Sequence, residues 1–177
     1  MPRFYQRLLC LSLLFLMGFG LCWLPGIPGQ PIQGRVAAQS VAQSVAAGQL
    51  VQQGVQKYQT GRFPEAIALW QQALSQTKGA KERAIVLTNL GQAYRQIGQS
   101  GQAITQWEQA IQLYESDRNA RDDRALAQLL TEQAQAYSDL GQHQPAIDRL
   151  TRAIRLAEKS QDVTTVAAAQ GALGNAY

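Results

Sequence analysis

Beyond residue 40 the chain carries apolar residues in a helical rhythm. Leu87, Leu90, Gly91 and Tyr94 recur at i, i+3, i+4 and i+7 and so share one face of a helix. No segment of the body alternates apolar and polar positions with period two, so strands are not expected. The rhythm is also self-similar. Gly54, Ala66, Trp70 and Ala73 line up with Gly91, Ala103, Trp107 and Ala110, and again with Ala134, Ala146, Leu150 and Ala153, with internal spacings of 12, 4 and 3 each time. The units are offset by 37 and then 43 residues, and a fourth opens 40 residues later at Leu173-Gly174-Asn175-Ala176-Tyr177. Each unit divides around a turn, at Thr60-Gly61-Arg62, Gly98-Gln99-Ser100 and Gly141-Gln142-His143. The expectation is an all-α fold, a helix-turn-helix repeat solenoid with a period of 37 to 43 residues, built of three repeats and a half over residues 39–177.

The spacing gives each position a packing role. Gly54 and Gly91 let a partner helix come close. Ala66, Ala103 and Ala146 form a small contact at the crossing, and Trp70, Trp107 and Leu150 fill the space one turn later. Pro64 and Pro145 fall in the first turn of a second helix, where a missing N–H costs nothing. Asp162 is placed as the N-cap of the fourth unit's helix. The tryptophans, with Tyr94, Tyr137 and Tyr177, are assigned to the helix-packing core and not to stacking platforms for bases.

A different pattern precedes the repeats. Leu8 to Leu24 is an apolar run broken only by Ser12, Gly18 and Gly20, preceded by Arg3 and Arg7. This reads as a secretory signal or an N-terminal membrane anchor, with Val36-Ala37-Ala38 offering small residues for cleavage before Gln39. Either way the body is exported, to a periplasm, a lumen or the outside. Bulky Leu21 ahead of Cys22 argues against lipid attachment. Prolines at 25, 28 and 31 predict an extended spacer through Gln33, with the helical pattern starting near Val41, so residues 1–38 form the signal or anchor with its linker.

Charge narrows the possibilities. Arg3, Arg7 and Arg35 account for three of 16 basic residues, leaving 13 against 12 acidic residues in the body. A near-neutral body lacks the counterion reservoir that nucleic-acid binding draws on, so no nucleic-acid partner is expected. With His143 alone and both cysteines inside the first 22 residues, no zinc site or Ser-His or Cys-His pair can be assembled in the body. His143, flanked by Gln142 and Gln144, reads as a solvated turn residue. No Gly-rich phosphate cradle is present. No catalytic residue, cofactor or metal is therefore assigned. The 27 glutamines, interleaved with periodic apolar positions, read as neutral polar helix faces.

Leu90-Gly91-Gln92-Ala93-Tyr94, followed by Gly98, Ala103-Ile104, Trp107 and Ala110-Ile111, resembles a tetratricopeptide repeat. The resemblance spans about residues 47 to 177 and is most specific in the second unit. It departs at Gln53 and Lys57, which replace Leu and Tyr in the first unit, and at Ala134, which replaces Gly in the third. The units exceed the usual 34 residues, most of all around Asp117 to Asp123. The resemblance implies a concave groove along the first helices. Its positions would be Val51, Gln52, Val55 and Tyr58; Thr88, Asn89, Gln92, Arg95 and Gln96; and Gln128, Thr131, Glu132, Gln135 and Asp139. Members that clamp a C-terminal carboxylate use Lys, Asn and Arg, of which only Asn89 matches here. An amide-rich groove instead suits the backbone of an extended peptide.

The implied function is an exported, non-enzymatic scaffold that binds a protein or peptide partner. The array is also similar to the repeat region that precedes the caspase-like CHAT peptidase domain in exported cyanobacterial proteins, and the alternative is a regulatory front end of such an enzyme. Leu173, Gly174 and Tyr177 reproduce the packing face of a first helix with no second helix after it. The sequence is therefore expected to continue past Tyr177, and residues after about Asp162 to be poorly protected without that continuation.

Overall fold

The computed structural model describes residues 32–176, all helical apart from the connections. Contacts divide the chain into a unit of residues 1–40 and a unit of residues 41–177. The helices are α1 (Ile32–Gln59), α2 (Phe63–Gln76), α3 (Ala80–Gln96), α4 (Ser100–Ser116), α5 (Asp123–Asp139), α6 (His143–Lys159) and α7 (Val163–Ala176). The apolar run Leu8–Leu24 lies outside the described residues. Among those described, no helix is long and apolar enough to cross a membrane.

One expectation is corrected here. Helix α1 begins at Ile32, not near Val41, and absorbs Ile32 and Gln33, which the spacer reading had placed in extended chain. The last proline of the spacer is Pro31, and the stretch that follows is rich in Ala and Gln, which favour a helix once its first turn is past.

Within the second unit, α2 to α7 follow one another as antiparallel neighbours, and α3 touches α5 as α5 touches α7. The α1–α2, α3–α4 and α5–α6 turns reverse direction in the same way. Gly61, Gly98 and Gly141 have φ of 73°, 75° and 69°, a left-handed conformation that glycine adopts without a Cβ clash. The amide one residue later reaches back across the helix end: Arg62 N–H to Lys57 O, Gln99 N–H to Tyr94 O and Gln142 N–H to Tyr137 O, at 2.8, 2.9 and 2.8 Å. The extra length over the usual repeat is shared between 17-residue second helices, α4 and α6, and the loop before α5.

Two apolar clusters hold the helices. The first gathers Ala66, Ile67, Trp70 and Ala73 of α2 with Val86, Leu90 and Ala93 of α3, and Leu50, Val51, Val55 and Tyr58 of α1 pack against it. The second runs from Leu87 and Trp107 through Leu129, Leu130 and Leu150 to Ala169. Trp70 and Trp107 are buried, and each sits on a glycine: a Cβ at Gly54 or Gly91 would overlap the indole ring. Each indole N–H donates to a carbonyl three residues before that glycine, Trp70 to Val51 and Trp107 to Thr88, both at 3.1 Å. The third repeat makes the complementary exchange, with Ala134 and Leu150 where the others have glycine and tryptophan. Asp162 caps α7 as expected. Its carboxylate accepts from Thr165 N–H at 3.2 Å and from the Thr165 hydroxyl at 2.7 Å.

Candidate functional site

The fourteen groove positions fall on α1, α3 and α5, and they separate into two groups. Val51, Val55 and Tyr58 are half-buried against the first cluster and belong largely to packing. The carbonyls of Val51 and Thr88 are occupied by indole N–H groups, and the Thr88 hydroxyl donates to Ala84 O at 2.8 Å. Thr131, at the same repeat position, is buried, and its hydroxyl donates to Ala127 O at 3.0 Å, so it offers the surface nothing. Five positions expected to line a groove thus serve the helix stack.

The second group is open. Gln52, Gln96, Gln128 and Asp139 are exposed, and Asn89, Gln92 and Gln135 are half-buried. The charges of this face are brought together: Arg95 Nη2 donates to Glu132 Oε2 at 3.0 Å across the α3–α5 seam. The two side chains retain 25% and 34% of their exposure, so the pair is reachable yet internally neutralised. Gln128 donates to Asp162 Oδ2 at 3.3 Å, tying α5 to the cap of α7. Arg124 stands 3.6 Å from the same carboxylate oxygen. The hydrogen bonds from the Thr165 hydroxyl and amide, aided by Arg124 and Gln128, hold the Asp162 carboxyl below its usual range. What remains open on this face is a set of primary amides, each able to donate and accept, together with the exposed carboxylate of Asp139.

Sequence reasoning overlooked one residue beside this face. Gln133 is fully buried, and neither its amide nitrogen nor its oxygen has a hydrogen-bond partner. Arg95 Nε is likewise buried and unpaired. The signal was available: Gln133 precedes Ala134 as Leu90 precedes Gly91, so the repeat alignment places it on a core position. Of the aromatic residues, Trp70 and Trp107 are core, whereas Tyr94 and Tyr137 keep their hydroxyls at the surface. The Tyr94 hydroxyl accepts from Gln71 at 2.9 Å, and the Tyr137 hydroxyl donates to Glu108 at 3.1 Å. His143 is exposed at its turn.

Two family models, each described as tetratricopeptide repeat, match residues 45–116 and 127–160. The units are tetratricopeptide repeats. The Yersinia enterocolitica type III secretion chaperone SycD, in complex with a peptide of the translocator YopD, is a similar solved structure, with a TM-score of 0.61 at 17% identity over 73% of this chain and 90% of that one. The TPR2B domain of yeast Sti1, in its pHsp70 complex, gives 0.64 at 14% identity over 75% and 96%. The Sgt2 TPR domain from Aspergillus fumigatus gives 0.57 at 21% identity over 73% and 76%. At such identities the likeness is one of fold. A search of curated proteins returned no match.

Proposed function

We propose that this chain is a non-enzymatic scaffold, exported from the cytoplasm, whose α1–α3–α5–α7 face binds an extended segment of a partner protein. The observation that carries this reading is the Arg95–Glu132 pair. With those two charges spent on each other, the face is left with exposed or half-exposed amides at Gln52, Asn89, Gln92, Gln96, Gln128 and Gln135, and with Asp139 as its one unpaired charge. Primary amides complement the alternating N–H and C=O groups of an extended backbone, and they do so without selecting for ligand charge. The peptide-bound relatives SycD and Sti1 TPR2B support the same use of the fold. Export rests on the apolar run Leu8–Leu24 behind Arg3 and Arg7.

The test is a capture comparison between wild type and an Asn89→Ala/Gln92→Ala variant, with circular dichroism confirming equal helicity. Loss of the wild-type partners by the variant is the expected result, and equal recovery places binding elsewhere. Binding should change little with salt, since Asp139 is the one groove position whose charge has no ion-pair partner. Export is tested separately, by fusing residues 1–40 to a reporter and locating it.

A further inference from the structure

One exposed apolar side chain stands in line with the open amides. Ile85, Asn89, Gln92 and Gln96 recur at i, i+4, i+7 and i+11 on α3 and so share one face of that helix. Ile85 keeps 42% of its exposure. The other exposed large apolar residues described lie elsewhere: Val41 and Val45 on α1, Ile97 and Leu140 at the ends of α3 and α5, and Val163 at the start of α7. A lone apolar residue on a surface is ordinary. At the head of a row of amides, it offers a ligand lying there an apolar contact.

The other end of the face is acidic. Asp139 is exposed, makes no ion pair among the described residues, and is the last residue of α5. The final turn of α5 holds no basic residue, whereas that of α3 has Arg95. A carboxylate at the negative end of a helix dipole is left uncompensated by its own helix, so a cation brought from outside is favoured there. Between the two ends, Arg95 and Glu132 cancel each other across the α3–α5 seam.

That pair also sets the distance. Ile85 stands ten residues before Arg95 on α3, Asp139 stands seven after Glu132 on α5, and the two helices run parallel. With the bridge as the crossing point, the ends are about 25 Å apart along the helices at a rise of about 1.5 Å per residue. An extended chain covers that in about eight residues, and an even number keeps both end side chains on the same side of the strand.

We propose that the α3–α5 part of this face selects extended segments carrying a large apolar side chain over Ile85 and, about eight residues away, a lysine or arginine against Asp139. The amides of Asn89, Gln92 and Gln135 take the backbone between them. This rests on the peptide-binding reading given above and adds the side chains that make one segment bind better than another. A single charge contact on an otherwise neutral face keeps the salt dependence small.

The probe is a phage-displayed library of random twelve-residue peptides selected against the full chain, followed by anisotropy of labelled peptides made from the enriched sequences. Wild type is expected to enrich peptides that pair a leucine, isoleucine, phenylalanine or tryptophan with a lysine or arginine about eight residues apart. Ile85→Asn should weaken those peptides about five- to tenfold and erase the apolar preference. Asp139→Asn should weaken them about two- to fivefold, the worth of an exposed ion pair, and erase the basic preference. Asp139→Lys should reverse that preference, binding peptides with glutamate in place of the basic residue better than the originals. Both positions are exposed, and circular dichroism checks that each variant keeps its helicity. Enriched peptides that lack the pair, or that bind Ile85→Asn and Asp139→Asn as tightly as wild type, overturn this inference. If Asn89→Ala/Gln92→Ala still weakens such peptides, the peptide-binding reading stands without it. Enriched peptides indifferent to Asn89→Ala/Gln92→Ala overturn that reading and this inference together, as does the absence of any enriched sequence.

Discussion

The second and third repeats solve the same packing problem with different residues. In the second, Trp107 lies on Gly91 and Leu90 fills the adjoining core position. In the third, Leu150 faces Ala134, and Gln133 occupies the place of Leu90 with both its polar atoms unpaired. The glycine–tryptophan and alanine–leucine pairs are alternative ways of dividing one volume, and neither residue of a pair is interpretable alone. The glutamine is a different matter. It keeps the shape of a leucine but brings a desolvated amide, which costs about 1–3 kcal/mol when left unbonded. In a repeat array, where stability is close to a sum of repeat and neighbour terms, that cost falls on the junction between the second and third repeats.

The comparison can be broken most severely at Trp107. Trp107→Ala is expected to destabilise the chain by about 3–5 kcal/mol, the usual range for removing a large buried aromatic, read from urea melts. A loss below about 1 kcal/mol would show that the indole does not hold the second repeat together. Next in size is the attempt to convert the third repeat into the second. Leu150→Trp alone should destabilise by about 1–3 kcal/mol because the Ala134 Cβ obstructs the ring, and adding Ala134→Gly should recover much of that loss. Additive effects in this double-mutant cycle would refute the shared-volume account. Gln133→Leu tests the other difference and should raise stability by about 1–3 kcal/mol, with hydrogen exchange slowing on both sides of the α4–α5 junction. A destabilised variant would mean that the amide is satisfied.

A pH series sharpens the comparison between the ends of the third repeat. The Asp162 carboxyl is held below its usual range by Thr165, Arg124 and Gln128, and the Asp123 carboxyl by Lys159 and Arg121. A lowered folded-state pKa means that these contributions are fully present above the unfolded carboxylate value, near 4, and are lost as pH falls through the folded value. The third repeat and α7, with two such carboxyls, should therefore loosen before the second repeat as the solution is acidified, while the first repeat has one of its own, Glu65, held low by Lys57 and Arg62. Asp162→Asn, which keeps a cap but cannot titrate, should flatten the part of that loss localised to α7. The smallest effect is expected at Gln92→Ala, within about 0.5 kcal/mol, because the side chain lies on the open face. A large change there would move Gln92 into the core.

Much of this was legible from residue spacing. The three turn glycines, the Gly–Trp contacts and the Asp162 cap all follow from patterns that carry their own steric reasons. The α1 start was not, because the proline-rich stretch masks how soon a helix can follow Pro31. Thr131 and Gln133 escaped for a related reason. A period identifies the face a residue occupies, but a polar residue on a boundary can turn its hydroxyl back to its own helix, as Thr131 does, or be swallowed with no partner, as Gln133 is. The groove residues Gln52, Asn89, Gln92 and Gln135 were reachable only through likeness to known repeats. Their amides are chemically ordinary, and only their repeat positions on α1, α3 and α5 mark them out.

The buried indoles have a spectroscopic consequence. Trp70 and Trp107 lie in the first and second repeats, and the third repeat and α7 contain no tryptophan. Intrinsic emission from these two rings therefore reports the opening of the first half of the array, whereas the far-ultraviolet signal averages over every helix. If the weak junction at Gln133 lets the two halves melt separately, the two signals will trace different curves in the same denaturant series. Gln133→Leu, by joining the halves, should bring the curves together.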